Sequence, residues 1–404
     1  MNEIGAVILN GSPTGLCAVR SLGRKGIPTA VVQTRAHHIA EYSHWASESH
    51  NLLDFYSEPE SLLELLEYNS RRWRGRVLLP ASDRTLTLLA KNRDRLLRDY
   101  RVPVPPWEIT QKLLRKDVTN SIAREVGVDT PRDYGPAIAS TANRKDISYP
   151  VIVKPVLSHD FTVLFGQKLF VAHDRRELEG AIEKLAVTGL EARVVDLIPG
   201  PDSQFYNYTF FLDERGDPVA EFGFRKLRKS PPRYGVGRVV ESADVPELRE
   251  PTLELLRQMG WSGIASAEYK LDPRDGRFRL MEVNGRLYLT VGLAVRAGVD
   301  YPFLMWAAGA GMQQSTVAPN GWKGAWIDLR AEFAYSVLLR GLDGLTWRET
   351  LAPYRQSKTY AIWSASDTRP FAAAQFHLAR RGIGALRKGR ARLQRQLEAA
   401  VPAR

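Results

Sequence analysis

The sequence predicts an α/β protein of several subdomains, and three observations carry that prediction. The N-terminus, EIGAVILNGSPTGLCAVRSLGRKGIPTAVVQT, reads as strand, glycine turn, helix and strand, a βαβ unit. The middle of the chain holds a series of short β-branched and aromatic runs separated by Pro-Gly and Asp-Gly turn signals. From about Val291 onward the pattern is mostly helical, with a strand-like AWIDLRAEFAYSVLL inside it. At 404 residues the chain is too long for a single core.

Composition narrows the class. Hydrophobic content of 44% and charged content of 25% are ordinary for a globular protein. One cysteine, Cys17, excludes an internal disulfide framework and a cysteine-based zinc site. Met1-Asn2-Glu3 offers no basic leader and no apolar run approaches a bilayer's width, so the expected location is the cytoplasm. The net charge of +12 is concentrated at the end, where Leu378–Arg404 carries eight basic residues against Glu398 alone. A solvated helix, nucleic acid, an anionic membrane surface or an acidic partner each accounts for such a tail, though no specific nucleic acid is expected.

In chain order, Gly11 and Gly15 open the first helix, which ends near Gly23 or Gly26. Their G-x-x-x-G spacing is not the dinucleotide fingerprint, and Gln33 stands where an acidic residue would follow the second strand. The strand RVLLPASD ends in a loop containing Ser82 and Asp83; Asn10, Ser12 and Asp83 line one crevice or act as turn and helix caps. Pro103, Pro105 and Pro106 make a stiff linker, which closes an N-terminal domain over residues 1–105. QKLLRKDVTNSIAREVGV is expected to be one helix, stopped by Gly127 and Pro131. YPVIVKPV is a strand with Lys154 near its end, and a lysine among such apolar neighbours is costly unless it meets an anion. ARVVDLIPGPDSQFYNYTFFLDERGDPVAEFGF gives three strands, RKLRKSPPRYGVGRVVES a basic hairpin and PELREPTLELLRQMGW a helix.

The stretch IASAEYKLDPRDGRFRLMEVNGR then reads as a second hairpin. In antiparallel strands, facing residues have numbers of constant sum, so a turn centred on Asp275 sets Glu268 opposite Glu282. Asn284 lies two residues along on the same face. Two carboxylates and an amide are hard oxygen ligands suited to Mg2+, with Mn2+ as an alternative. An exposed hairpin whose glutamates face unrelated neighbours is the competing reading.

Lys116, V-I-V-K154-P, V-V-D-L-I-P-G-P-D, A-E268-Y-K and M-E282-V-N-G-R form an ordered series that resembles the ATP-grasp superfamily, in particular its carboxylate–amine ligase branch. The resemblance runs from about Lys112 to Arg296. It implies an ATP-grasp fold of α+β lobes: a small lysine-bearing lobe over 106–190, a large lobe with a metal site over 191–315, and a helical extension over 316–404. The N-terminal domain is similar to the Rossmann-like unit that precedes the grasp lobes in that superfamily. By the same resemblance, Lys116 and Lys154 would neutralise the phosphates of ATP, backbone groups at Asp196 and Ile198 would meet adenine, and Asp202 would hold the ribose. Glu268, Glu282 and Asn284 would bind Mg2+, Arg286 would clamp a carboxylate or acyl phosphate, and Lys226 and Arg228 would reach the γ-phosphate or substrate. Two departures stand out: the loop VLSHDFTVLFGQK is bulkier than the usual glycine-rich lid, and Val195-Asp196 replaces the common Gln-Glu or Glu-Lys pair. The implied activity joins a small-molecule carboxylate to an amine, releasing ADP and phosphate; a homodimer is compatible with it. A bicarbonate-using carboxylase-type enzyme and a silent ATP-binding module are the alternatives.

Overall fold

The computed structural model describes residues 4–35, 37–156, 161, 164–338 and 344–380, so most of the basic tail and part of the loop after Lys154 lie outside the described residues. Fifteen strands are described: β1 (Ala6–Leu9), β2 (Thr29–Gln33), β3 (Glu48–Asn51), β4 (Val77–Pro80), β5 (Asp133–Pro136), β6 (Val151–Pro155), β7 (Phe170–Ala172), β8 (Ala192–Asp196), β9 (Phe205–Leu212), β10 (Pro218–Ser230), β11 (Val236–Ser242), β12 (Gly263–Leu271), β13 (Phe278–Asn284), β14 (Ala325–Ile327) and β15 (Lys358–Tyr360). They form three sheets, ordered β3-β2-β1-β4, β5-β8-β6-β7 and β13-β12-β9-β10-β11-β14-β15.

The first sheet is parallel throughout. Ala6-Val-Ile-Leu9 is buried at every position, as expected of a strand covered on both faces. The helix Pro13–Gly23 leaves this strand through a tight turn in which Asn10 adopts φ 130°. Gly15 is needed there, because a Cβ on it would stand 1.9 Å from the carbonyl oxygen of Asn10. Ser82 caps the helix Asp83–Lys91 in a reciprocal capping box with Thr85, so its side chain serves the helix.

One helix expected from the sequence is two. Trp107–Leu114 and Lys116–Glu125 are separated by Arg115, which is extended at φ −85°, ψ 109°. The break is stabilised locally: the Arg115 guanidinium meets Asp117 at 2.9 Å, and the Thr119 hydroxyl donates to the Lys112 carbonyl at 2.9 Å. Its consequence is that Lys116 opens a helix instead of lying in the middle of one.

The small antiparallel sheet closes its own core with the helix Arg175–Ala186, through Val151, Val153, Val194, Leu178 and Leu185. In the seven-stranded sheet only the β14–β15 pair is parallel. The helix Arg249–Met259 covers one face of it, packing Leu253, Leu256 and Met259 against Ala265, Ala267, Tyr269, Leu280 and Val283. The strand-like AWIDLRAEFAYSVLL is a strand only over Ala325–Ile327; the Asp328 carboxylate accepts from the Arg330 and Ala331 amides at 3.1 and 3.4 Å and starts the helix Leu329–Phe333. Among the described residues no helix is long and apolar enough to cross a membrane.

The C-terminal region folds back onto the first domain. The fully buried Asp367 carboxylate accepts from Arg20 Nε at 2.8 Å and Ser43 Oγ at 2.7 Å, while His44 Nδ1 lies 3.1 Å away. Replacing Asp367 with Ala leaves the Arg20 guanidinium buried without its charge partner. The expected loss is about 3–5 kcal/mol of unfolding free energy in urea titrations.

Candidate functional site

Strand alternation sends Ser266, Glu268 and Lys270 of β12 to the face opposite the helix-covered core. On β13, Glu282 pairs with Glu268 and Asn284 with Ser266. The register agrees with the constant-sum expectation at these pairs, but the turn is not where that arithmetic put it. Nearer the turn Tyr269 pairs with Leu280 and Lys270 with Arg279, one residue off, and a β-bulge at Met281 restores the alignment. The bulge explains why Leu280 and Val283, three apart, both enter the core. It also frees the Met281 carbonyl, which accepts from Lys154 Nζ at 2.6 Å.

Across β12, Asn207 of β9 pairs with Glu268. Glu282, Glu268 and Asn207 therefore form a row over three neighbouring strands, with Asn284 beside it. Asn284 Nδ2 lies 3.4 Å from Glu282 Oε1 and Asn284 Oδ1 accepts from Arg286 at 3.2 Å. Among the described residues no cluster of three or more His, Cys, Asp or Glu side chains could hold a metal. This row offers two carboxylates and two amides instead, a hard oxygen set that fits Mg2+. Asn207 was not foreseen from the sequence. It is 4% exposed, lines the cleft, and its Oδ1 has no hydrogen-bond partner.

Lysines surround the carboxylates. Burial alone would raise the Glu282 pKa, yet Lys116, Lys168, Lys154 and Lys226 hold it well below the usual carboxylate range. Lys226 of β10 pairs with Glu268, both nearly buried. Lys168, at the end of the loop after Lys154, had no distinguishing motif in the sequence. Lys116 is pushed down to about 7 by burial first and by Lys154 second. Lys229 is likewise pushed to about 7, by burial and then by Lys226.

The segment after β8 lines the opposite wall. Ile198 is buried, and its carbonyl accepts from Lys270 Nζ at 2.7 Å. The Asp196 carboxylate turns to Arg274 at 2.6 Å, leaving its backbone on the strand. Each Asp202 oxygen accepts a backbone amide, from Lys229 and from Arg233, at 3.0 Å. Arg228 is engaged by the C-terminal region: it pairs with Glu332, which also binds Arg238 at 2.8 Å, and it donates to the carbonyls of Glu349 and Thr350. Arg286 crosses to the N-terminal domain and meets Asp83 at 2.7 and 3.2 Å.

All these walls border one cavity of 2280 Å³, reaching from Lys154 and Ile198 to Ser82 and Asp83 and touching Gly344, Leu345 and Glu349. Asp196 is not part of its lining. A single-ligand pocket typically holds about 300–1,000 Å³, so this cleft has room for more than one molecule.

Comparison with known proteins places the same region in context. A family model described as the carbamoyl-phosphate synthase L chain, ATP binding domain, matches residues 237–314. D-aspartate ligase of Enterococcus faecium is 23% identical over 240 residues, 56% of this chain and 57% of that protein, so the chain spans little more than half of that relative. Biotin carboxylase from Campylobacter jejuni superposes with a TM-score of 0.64 at 18% identity, over 80% of this chain and 74% of that one. L-amino acid ligase from Bacillus licheniformis does so with 0.61 at 18% identity, over 78% and 77%. At such identities the solved structures speak to a shared fold.

The two depressed lysines make polyanion binding pH-dependent. Above pH 7 Lys116 and Lys229 lose their protons in the cleft, although the unfolded chain keeps them until about 10.5. A bound polyanion favours the charged form and raises both values, so binding takes up protons between about pH 7 and 10 and weakens as pH rises through that window. Calorimetry of tripolyphosphate binding at pH 8 in buffers of different ionisation enthalpy will show net proton uptake, reduced in Lys116→Met.

Proposed function

We propose that the chain is an ATP-grasp enzyme that uses ATP with Mg2+ to join a carboxylate to an amine. The observation that carries the proposal is the continuity of the cleft, which runs from the lysine-ringed carboxylates to the Asp83–Arg286 contact at the N-terminal domain. A nucleotide fills only one end of such a space. The other end is bordered by Arg286, whose planar guanidinium matches a carboxylate or phosphate in geometry and charge. D-aspartate ligase among the relatives and L-amino acid ligase among the structural neighbours favour an amine as the second reactant.

Each side chain then has a task set by its position. Lys154, held on the bulge carbonyl of Met281, and Lys116, at its helix start, would meet nucleotide phosphates. Glu268, Glu282 and Asn284 would hold Mg2+, which would supply charge neutralisation for the nucleotide phosphates. The buried Ile198 segment would form the adenine wall, while Asp202 would accept the ribose hydroxyls and tie the β10–β11 loop beside them.

Chemistry would follow in two displacements. A substrate carboxylate oxygen forms a bond to the γ-phosphorus as the bond to the ADP oxygen breaks. The amine nitrogen then bonds to the acyl carbon, phosphate departs with the electron pair of the broken C–O bond, and the nitrogen's surplus proton leaves to the phosphate or to water. No side-chain nucleophile is required; positioning and charge carry the rate.

Screening amino acids and small carboxylates, bicarbonate included, for stimulated ADP release tests this function directly. A carboxylate and an amine that stimulate only together support it, whereas stimulation by bicarbonate alone identifies carboxylase chemistry instead. With the stimulating pair, Glu282→Gln should lower Mg2+-dependent turnover by about 10²–10³-fold. Lys154→Ala should weaken ATP binding, read as a higher KM for ATP.

A further inference from the structure

Charge along the donor row leads to a role for Lys226, one that rests on nucleotide and divalent cation binding at this row. Glu282, Glu268 and Asn207 stand at one level on neighbouring strands, about 5 Å from strand to strand. Asn284 lies beside the space between Glu282 and Glu268, with its Nδ2 3.4 Å from Glu282 Oε1 and its Oδ1 accepting from Arg286. On the Asn207 side the arrangement is different. Lys226 approaches from β10 and pairs with Glu268 Oε2, the two side chains being 10% and 9% exposed.

Two features hold the ammonium there, and a third is open to it. Lys226 precedes a register shift on β10, where Arg228 follows it out of step against Val239, and such a bulge re-aims a side chain. The Phe205 ring lies 5.8 Å from its nitrogen. Asn207 Nδ2 faces Ser266 Oγ at 3.5 Å, which leaves the buried, unpartnered Asn207 Oδ1 for a donor on the cleft side. An ammonium has three N–H donors: Glu268 takes one, the Asn207 oxygen is available to another, and the third remains for a ligand oxygen.

We propose that the Lys226 ammonium is a resident cation that closes the Asn207 side of Glu268 to a divalent ion, so that metal is confined to the side of Glu282, Glu268 and Asn284. A divalent ion on the Asn207 side would need the Glu268 oxygen that Lys226 occupies and would sit against a buried like charge. Removing the ammonium frees that oxygen and removes the repulsion.

Counting bound Mn2+ by the electron paramagnetic resonance signal of the free ion, on the full chain saturated with ADP, tests this. Lys226→Arg should hold as many Mn2+ per bound ADP as wild type, and Lys226→Met should hold one more. Lys226→Gln, which keeps a polar side chain, serves as a second neutral variant should Lys226→Met fail to bind ADP. A neutral variant that still binds ADP and holds no more Mn2+ than wild type overturns the proposal. Wild-type protein that adds no Mn2+ beyond that carried by ADP in solution overturns the metal site itself, and the proposal with it.

Discussion

The site depends on a half-buried carboxylate that no single partner neutralises. Glu282 lies among Lys116, Lys154, Lys168 and Lys226. These four come from the helix after the Arg115 break, the small antiparallel sheet, the loop that follows β6 and the central sheet. Taking such a group out of water costs several kcal/mol, so the lobes must approach closely enough for their charges to offset one another. The same requirement explains why so many ammoniums tolerate burial together. Lys154 and Lys270 rest on backbone carbonyls and Lys226 on Glu268, while Lys116 and Lys229 respond by lowering their pKa. A polyphosphate entering the cleft would meet positive charge that is already arranged, with little left to reorganise.

The C-terminal region participates in that arrangement from outside the family-matched stretch. Glu332 gathers Arg228 and Arg238 in one buried cluster, and Arg228 also binds the carbonyls of Glu349 and Thr350. Leu345 and Glu349 thereby border the cleft. Asp367 returns the chain to the first domain through Arg20 and Ser43. The wall of the cleft on the β11 side is therefore set by residues distant in sequence.

What the sequence made legible was what depends on short-range rules. Two-residue alternation and an Asp-Gly turn were enough to place Glu268 across from Glu282, and Lys154 stood out as a charge inside an apolar strand. The bulge at Met281 was invisible because it leaves the apolar pattern almost unchanged, though it decides both the register and the seat of Lys154. The Arg115 break was missed because its causes, Asp117 and the Thr119 hydroxyl, compete with a helix pattern that is otherwise continuous. Asn207 and Lys168 carry no motif and become meaningful only when β9 and the loop end are brought beside β12 and β13. Arg228 was read as a phosphate or substrate contact and lines the cleft, but its pairing with Glu332, more than a hundred residues later, could not be reached by pattern.

The central claim is that the cleft activates a carboxylate with ATP, and transfer of oxygen reports on this most directly. A stimulating carboxylate labelled with 18O should be incubated with the enzyme, MgATP and the amine, and the released phosphate analysed by mass spectrometry. One labelled oxygen per product should appear in the phosphate, because the carboxylate oxygen that attacks phosphorus leaves with it. Phosphate free of label while amide accumulates would contradict the account.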